Sequence, residues 1–321
     1  MTTSLFDEVR RSCREVAEQA AFVEINQAAL AQYVAELPSD RLLLPEMDPA
    51  IHYLGHGRET LAYYLTLDAI NFGSGYFPEV LGDPRRSGYR TVAAALTEQF
   101  ACSGPITPDH LRRLNQEECA RIVALDRSSP AGQELIALYT KSLNDLGAFV
   151  CASFGGDFAA VVEEAGQSAE RLVEILTAMS LYNDTAPHNG REISFYKRGQ
   201  LTAADLHIAF AGKEAGIFHD IDQLTICADN LVPHVLRLDG ILKYQEELAR
   251  QIDQGEPLPA GSQEEVEIRA CAVHAGELMV AQLLLRGDKV NAMMLDNFLW
   301  HRGQEPAYRA RPRHRTRTVF Y

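Results

Sequence analysis

Two aspartates lie in a segment whose other residues are mostly apolar. Asp222 and Asp229 are seven residues apart, so on a helix their carboxylates share one face, because seven steps of about 100° return to nearly the same side. Asp229 is flanked by Ile226 and Leu231, and Pro233 is expected to break the helix because it cannot donate to the carbonyl of residue 229. A carboxylate in an apolar setting beside a broken helix is typical of a catalytic acid.

Both aspartates also have structural interpretations. Asp222 fits the N-cap of a helix, where a short acidic side chain accepts from free backbone N–H groups. Asp229 fits a buried acid that is paired with another side chain. From these residues alone Asp229 is the first catalytic candidate, and both alternatives stay open.

Two adjacent cations precede a predicted helix over residues 201–211. Lys197 and Arg198 stand in the sequence FYKRGQ, and Thr202 with Asp205 resembles a capping box. Free N–H groups and the helix dipole attract anions to a helix N-terminus, so this segment fits a phosphate. A solvated basic turn is the alternative.

A glycine-rich turn with aromatic residues lies over residues 68–78. It contains Asn71, Phe72 and Ser74, with glycines that allow close backbone approach. Such residues can grip a flat heteroaromatic ring by stacking and by edge hydrogen bonds. A helix C-terminal turn with ordinary aromatic packing explains them equally well.

Two further patterns are less specific. His52 and His56 have the i,i+4 spacing of a metal pair, but glycines flank His56 and no HExxH motif follows, so we expect no metal. Asp296 precedes the only tryptophan, Trp300, by four residues. This pair fits either a core hydrogen bond to the indole or the rim of a pocket.

The net charge is −14, which disfavours a protein that holds nucleic acid across a broad face. The tail runs against this charge, because five arginines alternate along it and would share one face of an extended strand. Without these five the rest of the chain carries −19. We expect the tail to dock on the protein's own acidic surface, with a nucleic-acid arm as the alternative. The arginines are Arg309, Arg311, Arg313, Arg315 and Arg317.

Helical periodicity dominates the chain and predicts an all-α fold, with at most a short C-terminal strand in TRTVFY. Apolar residues three and four apart predict a long helix over residues 5–36. Other helical patterns cover residues 130–149, 158–181 and 262–286, and a short helix follows Thr107. We expect one compact multi-helix domain over residues 1–321, divisible at most into helical subdomains of about 1–190 and 191–321.

The composition is that of an ordinary intracellular globular protein. No apolar run approaches the roughly 20 residues that span a bilayer, and the N-terminus lacks the apolar core of a signal peptide. The six cysteines form no CxxC pair. We expect a cytoplasmic monomer without membrane association.

Taken in order, these segments resemble the queuosine salvage protein family. The resemblance is carried by DAINFGSG at 68–75, FYKRGQL at 195–201, FHDIDQLTICADNLVPHVLRLDGILKY at 218–244, EEVEIRA at 264–270 and LDNFLW at 295–300. It covers most of the chain from about residue 50 to residue 300. Where family members often have Ala and Tyr, this sequence has Gly199 and Asn230, and neither change removes a group that the chemistry requires.

The resemblance implies hydrolysis of the N-glycosidic bond of queuosine 5′-monophosphate, which releases queuine for reuse in tRNA. It implies a helical body distantly similar to helix-hairpin-helix DNA glycosylases, no metal or redox cofactor, and a small-molecule substrate rather than a stable nucleic-acid complex. A binding module for tRNA or a modified nucleotide, or an N-glycosidase of another nucleoside, are the alternatives.

The family chemistry assigns expected roles to the residues singled out above. Asp229 stabilises the positive charge that develops on the ribose, as an adjacent carboxylate does in glycoside hydrolysis. Three cationic or imidazole side chains are candidates for the 5′-phosphate: Lys197 first, then Arg198 and His52. The base and its side chain are expected to meet Asn71, Phe72, Ser74, Asp222 and Trp300.

Overall fold

The computed structural model of the chain describes residues 4–82 and 87–321, and helices dominate this backbone. The predicted all-α class is confirmed. The helices are α1 Leu5–Gln19, α2 Gln27–Glu36, α3 Arg58–Ala69, α4 Phe77–Leu81, α5 Gly88–Ser103, α6 Pro108–Leu111, α7 Gln116–Ile122, α8 Pro130–Phe154, α9 Phe158–Glu164, α10 Ala169–Thr177, α11 Lys197–Ala209, α12 Val232–Leu238, α13 Glu246–Asp253, α14 Gln263–Arg286, α15 Ala292–Gly303 and α16 Pro306–Arg309. Short 3-10 turns occupy Ser39–Arg41, Ser180–Tyr182, Glu214–Gly216 and Ile221–Gln223.

Four short strands form two antiparallel pairs. They are β1 Val23–Ile25 with β4 Leu242–Tyr244, and β2 Thr185–His188 with β3 Arg191–Ser194. The sequence predicted at most a short strand, in the tail; in the described residues the strands lie elsewhere, and the tail contributes one isolated bridge, between Pro257 and Arg315. Three- and four-residue strands are too short for a period-two pattern to stand out from a helical background.

The chain folds into two compact units, and each is assembled from separate segments. Unit 1 comprises the described residues of Met1–Pro45, Asp184–Lys197 and Asp222–Arg317. Unit 2 comprises those of Glu46–Asn183, Arg198–Ile221 and Thr318–Tyr321. The sequence-based subdomains are contiguous halves, whereas these units alternate along the chain.

Helix α14 is the central helix of unit 1. It packs against α1, α2, α12, α15 and β1, and its buried residues include Val266, Cys271 and Met279. It is long and apolar enough to pass a length and hydropathy test for a membrane span, as core helices of globular proteins also do. Its first half also buries charged side chains, namely Glu265, Glu267 and Arg269.

The predicted helix over residues 5–36 is interrupted. Helix α1 buries Phe6, Val9, Cys13 and Val16 as the spacing predicts, but Ala20 adopts an extended conformation and ends it. The next residues form β1, and Asn26 then caps α2 by accepting from the N–H of residue 29. Pairing of β1 with a strand more than 200 residues away is a tertiary effect that outweighs local helical periodicity.

Three predicted helix starts are confirmed and one is wrong. Thr107 caps α6, Pro130 opens α8, and Ser262 caps α14 by accepting from the N–H of Glu265. Helix α11, however, begins at Lys197. Thr202 lies inside it and donates to the carbonyl of Arg198 at 2.9 Å, so its hydroxyl is satisfied within the helix rather than at a cap.

Helix α8 is the longest helix of unit 2, and it packs against α3, α4, α6, α7 and α9. The predicted helix over residues 158–181 is divided into α9 and α10 because Gly166 and Gln167 both have positive φ angles. Ser168 then caps α10 by accepting from the N–H of Arg171. The similarity to helix-hairpin-helix DNA glycosylases stays a prediction.

Candidate active site

Asp229 precedes a helix instead of lying within one. Residues 224–231 have irregular backbone, and Asp229 Oδ1 accepts from the N–H groups of Leu231 at 2.7 Å and Val232 at 3.1 Å. Pro233 lies in the first turn of α12, where a missing N–H costs nothing because that donor has no partner within the helix. The prediction that Pro233 breaks a helix containing Asp229 was therefore wrong: it begins one.

Asp222 does not share a helix face with Asp229, which corrects a second prediction. It lies in a 3-10 turn, is exposed, and accepts a hydrogen bond from Asn291, the N-cap residue of α15. Periodicity failed here because the 3.6-residue spacing was extended across backbone that is not helical. The expected contact of Asp222 with the base stays a prediction.

A third acid, Asp296 on α15, lies near Asp229. Its Oδ1 accepts from the N–H of Cys227 at 2.8 Å. Burial, and next the negative charge of Asp229, raise the pKa of Asp296 to about 7, while the Cys227 N–H and the charge of Lys197 act in the opposite direction. A carboxyl group with a pKa near neutral can hold a proton at physiological pH, as the acid does in known acid–base pairs.

Lys197 lies in the same region of unit 1. Its side chain is buried, with 7% exposure, and its charge acts on Asp296. Within the described part of the chain its ammonium forms no hydrogen bond or ion pair with the protein. The preceding residue, Tyr196, has a φ of +48°, a conformation that is costly for a bulky side chain and is held only where the surrounding structure enforces it. A buried ammonium of this kind is available to an anionic ligand.

A buried ion pair positions both segments of the site. Arg269 donates to the Asp184 carboxylate through two hydrogen bonds of 2.9 and 2.7 Å, and its Nε donates to the carbonyl of Ala228 at 2.9 Å. Asp184 also accepts from the N–H of Lys197 at 3.1 Å. The residue before Asp229 and the backbone of Lys197 are thus tied to one pair of side chains.

The guanidinium of Arg269 also lies 3.9 Å from the centre of the Phe195 ring, so the pair is packed against the same chain segment that carries Lys197. We did not single out Asp184 or Arg269 from the sequence. The available signal was the motif EEVEIRA, in which charged residues occupy the buried face of an apolar helix.

Trp300 lies four residues after Asp296 on α15, so the two side chains share one face of that helix. The indole is half-buried and makes an edge contact with the ring of His301 at 5.2 Å between centroids. Its expected stacking against a base stays a prediction.

The other predicted residues belong to unit 2. There the side chain of Arg198 is buried and is engaged by other groups of the protein. Its Nη1 donates to the carbonyl of Ala69 at 2.6 Å, its Nη2 donates to Leu181, and its guanidinium lies over the rings of Phe72 and Tyr182. A guanidinium engaged in this way caps the end of α3, so the structure favours a positioning role over phosphate binding.

His52 is buried with both ring nitrogens engaged. The Nδ1 atom lies 2.9 Å from the carbonyl of Asp48, and Nε2 lies 2.8 Å from the hydroxyl of Tyr89. Burial lowers the pKa of His52 below its usual range, which leaves a neutral imidazole. A neutral ring brings no positive charge to a phosphate, so this geometry disfavours the expected role.

The glycine-rich turn of unit 2 is tightly packed. Phe72 is buried edge-on against Tyr139, and Gly73 and Ser74 both donate to the carbonyl of Tyr321. Asn71 is half-buried, and its side chain forms no hydrogen bond with the described residues, so its amide can meet a ligand. Binding roles for Asn71, Phe72 and Ser74 stay predictions.

The acids and the lysine of unit 1 define what the site can do. A carboxyl group that holds a proton near neutral pH, beside a second carboxylate, suits acid–base catalysis and stabilisation of a developing cation. The buried ammonium supplies a binding point for an anionic group of the substrate. This combination suits hydrolysis of a glycosidic bond on a phosphorylated sugar.

Comparison with known proteins agrees with this chemistry. A family model described as queuosine salvage protein matches residues 51–321. The chain is 35% identical to a queuosine 5′-phosphate N-glycosylase/hydrolase of Sphaerobacter thermophilus, over 98% of this chain and 97% of that protein. It is 30% and 32% identical to proteins of the same description from Mus musculus and Bos taurus, over 97% of this chain and 98% of each relative. Because the family model spans most of the sequence and these relatives align along nearly all of it, the chain belongs to the queuosine salvage protein family.

Proposed function

We propose that this protein hydrolyses the N-glycosidic bond of queuosine 5′-phosphate and releases queuine. The observation that carries the proposal is the pair Asp229 and Asp296 beside the buried ammonium of Lys197. Relatives described as queuosine 5′-phosphate N-glycosylase/hydrolase, aligned along almost the full chain, support it.

Asp229 is proposed to stabilise the ribosyl cation. As the C1′–N bond breaks, positive charge develops on the ribose, and a carboxylate held in a fixed position stabilises that charge more than water does. Two backbone N–H groups, from Leu231 and Val232, fix the Asp229 carboxylate before the reaction starts. Queuine is a 7-deazapurine and has no N7 to protonate, so stabilisation of the ribose carries more of the catalysis.

Asp296 is proposed to handle the proton. Water oxygen bonds to C1′, the C1′–N bond breaks with its electron pair going to the base nitrogen, and one proton of the water must finally reach that nitrogen. A carboxyl group with a pKa of about 7 can accept and return a proton at physiological pH. Burial, and next the charge of Asp229, raise this pKa, so the two acids have different roles because of their different environments.

Lys197 is proposed to bind the 5′-phosphate, since it offers a buried positive charge close to the acid pair. The substrate is proposed to be the free nucleotide, taken up by a monomer in the cytoplasm without a stable tRNA complex. The net charge of −14 supports this part of the proposal, because it opposes binding of a long polyanion.

The test is release of queuine by Asp229→Asn. We expect a loss of at least about 100-fold in kcat, the effect of removing one preorganised electrostatic group from an active site. Asp157→Asn is the control, because Asp157 also accepts from the backbone N–H two residues on, at the start of α9, while lying outside the candidate site. Full activity of Asp229→Asn, with Asp157→Asn also active, would overturn the role of Asp229.

A substrate panel separates this function from the alternatives. Queuosine 5′-monophosphate, guanosine 5′-monophosphate and duplex DNA with damaged bases are incubated with the wild-type protein, and the released base is measured by chromatography. We expect release from queuosine 5′-monophosphate only. Release from the other substrates alone would indicate a different glycosidase, and tRNA binding without release would indicate a binding module.

A further inference from the structure

The arginine tail of unit 1 is docked, with its residues alternating between buried and accessible. His314 and Thr316 are 2% and 0% exposed, while Arg311 and Arg317 on either side are exposed. The N–H of Leu258 donates to the carbonyl of Arg315 at 2.7 Å. With the period-two spacing, one face of the tail carries the buried residues His314 and Thr316, and the other face carries the arginines.

Two contacts fix the tail against the segment that carries Asp229. The side-chain amide of Asn230 donates to the carbonyl of His314 at 3.2 Å, and His234 Nε2 lies 3.0 Å from the carbonyl of Tyr308. Asn230 directly follows Asp229, and His314 directly follows Arg313. The hydrogen bond from Asn230 to His314 thus holds the chain at Arg313 close to the chain at the candidate catalytic acid.

Arg313 differs from the other tail arginines in its surroundings. Its side chain is half-buried, and the charge of Asp229 acts on it and opposes the lowering of its pKa by burial. Yet within residues 4–82 and 87–321 the Arg313 guanidinium forms no hydrogen bond and no ion pair within 4 Å. A guanidinium that loses hydration near a carboxylate without pairing with it has free donors.

We propose that Arg313 is a substrate-binding residue, whose guanidinium binds the phosphate of the nucleotide together with Lys197. The inference rests on the proposed function and extends it. A phosphate dianion is matched by two cations, and the planar guanidinium can donate two parallel hydrogen bonds to its oxygens, which an ammonium cannot. The tail then belongs to the active site, and its regularly spaced arginines do not form a nucleic-acid-binding arm.

The experiment compares Arg313→Gln with Arg311→Gln, a matched control two residues away on an exposed side chain. We expect Arg313→Gln to raise the KM for queuosine 5′-monophosphate about 10- to 100-fold, the usual cost of one charge-assisted hydrogen bond. Cleavage of unphosphorylated queuosine should change less than about threefold, and Arg313→Lys should recover part of the loss. Arg311→Gln should match the wild type on both substrates.

Binding of ribose 5-phosphate, the other product, gives a readout that does not depend on turnover. Calorimetry should show weaker binding to Arg313→Gln than to Arg311→Gln. Equal binding by the two variants, or an equal loss on the nucleotide and the nucleoside, would overturn the inference. A wild-type protein that binds ribose 5-phosphate through Arg313 but releases no queuine would instead overturn the proposed function alone.

Discussion

Arg269 and Asp184 form a two-point ion pair in the interior of unit 1, with side chains only 1% and 2% exposed. The same guanidinium holds the carbonyl before Asp229, and the same carboxylate holds the N–H of Lys197. The two residues lie 85 positions apart in sequence and join the two chain segments on which the chemistry depends.

The first prediction concerns this pair. Asp184→Asn leaves a buried guanidinium without its counter-charge, and we expect the free energy of unfolding to fall by about 3–5 kcal/mol. Urea denaturation measures this loss. The variant should also lower kcat more than it raises KM, because the Ala228 carbonyl and the Lys197 backbone lose a fixed partner.

Arg171→Gln serves as the control for Asp184→Asn, since it breaks an ion pair with Glu174 whose side chains are 51% and 44% exposed. Exposed pairs contribute about 0–1 kcal/mol, so its stability and kinetics should match the wild type. A stable Asp184→Asn variant with normal kcat would show that the pair does not position the site.

The second prediction is the pH dependence of the reaction. Because the pKa of Asp296 is raised to about 7, the rate should change around neutral pH with an inflection that follows the protonation of Asp296. In Asp296→Asn this inflection should disappear. The measurement is kcat/KM for queuine release between pH 5 and 9, and an unchanged profile in the variant would contradict the assignment.

The protonation of Asp296 should also make the stability of the fold depend on pH. The folded state holds a proton on Asp296 up to a pH of about 7, while an unfolded aspartate releases it near its ordinary pKa of 3.8. In this window the folded state binds more protons, so its stability falls as the pH rises. In the wild type this decrease in stability should be complete above pH 7. In Asp296→Asn the corresponding part of the pH dependence of stability, measured by thermal unfolding, should be absent.

The third prediction separates two adjacent cations. Lys197→Ala should raise the KM for queuosine 5′-monophosphate by about 10- to 100-fold while affecting the nucleoside little, because a phosphate contact is lost. Arg198→Lys should instead lower the free energy of unfolding by about 2 kcal/mol or more, since an ammonium cannot keep the contacts with Ala69 and Leu181. Steady-state kinetics on both substrates and urea denaturation distinguish the two effects. Identical kinetic losses in both variants would contradict the distinction.

The sequence singled out Asp229 and Lys197 as candidates because each is a charged residue in a segment that core packing alone does not explain. It misplaced Asp229 on a helix, since periodicity does not reveal that this side chain binds the N–H groups at the start of α12. Asp296 was noticed beside Trp300, but its raised pKa depends on burial in the folded protein and on the charge of Asp229, which is distant in sequence.

Helices with local caps, such as α14 after Ser262, could be predicted because the signal lies within four residues. The pairing of β1 with β4 and the Arg269–Asp184 contact could not, because they join positions that are distant in a single sequence. Arg313 falls between these cases. Its place in the alternating arginines of the tail could be seen in the sequence, but its proximity to Asp229 could not.

The alternation of the two units along the chain has a consequence for biosynthesis. Unit 1 needs Asp184–Lys197 and Asp222–Arg317, and unit 2 needs Arg198–Ile221, so neither core can close while only the first half of the polypeptide has left the ribosome. Neither unit can be cut out as one uninterrupted gene fragment. The acid pair and its lysine therefore come together only after the polypeptide has been made as far as Asp296.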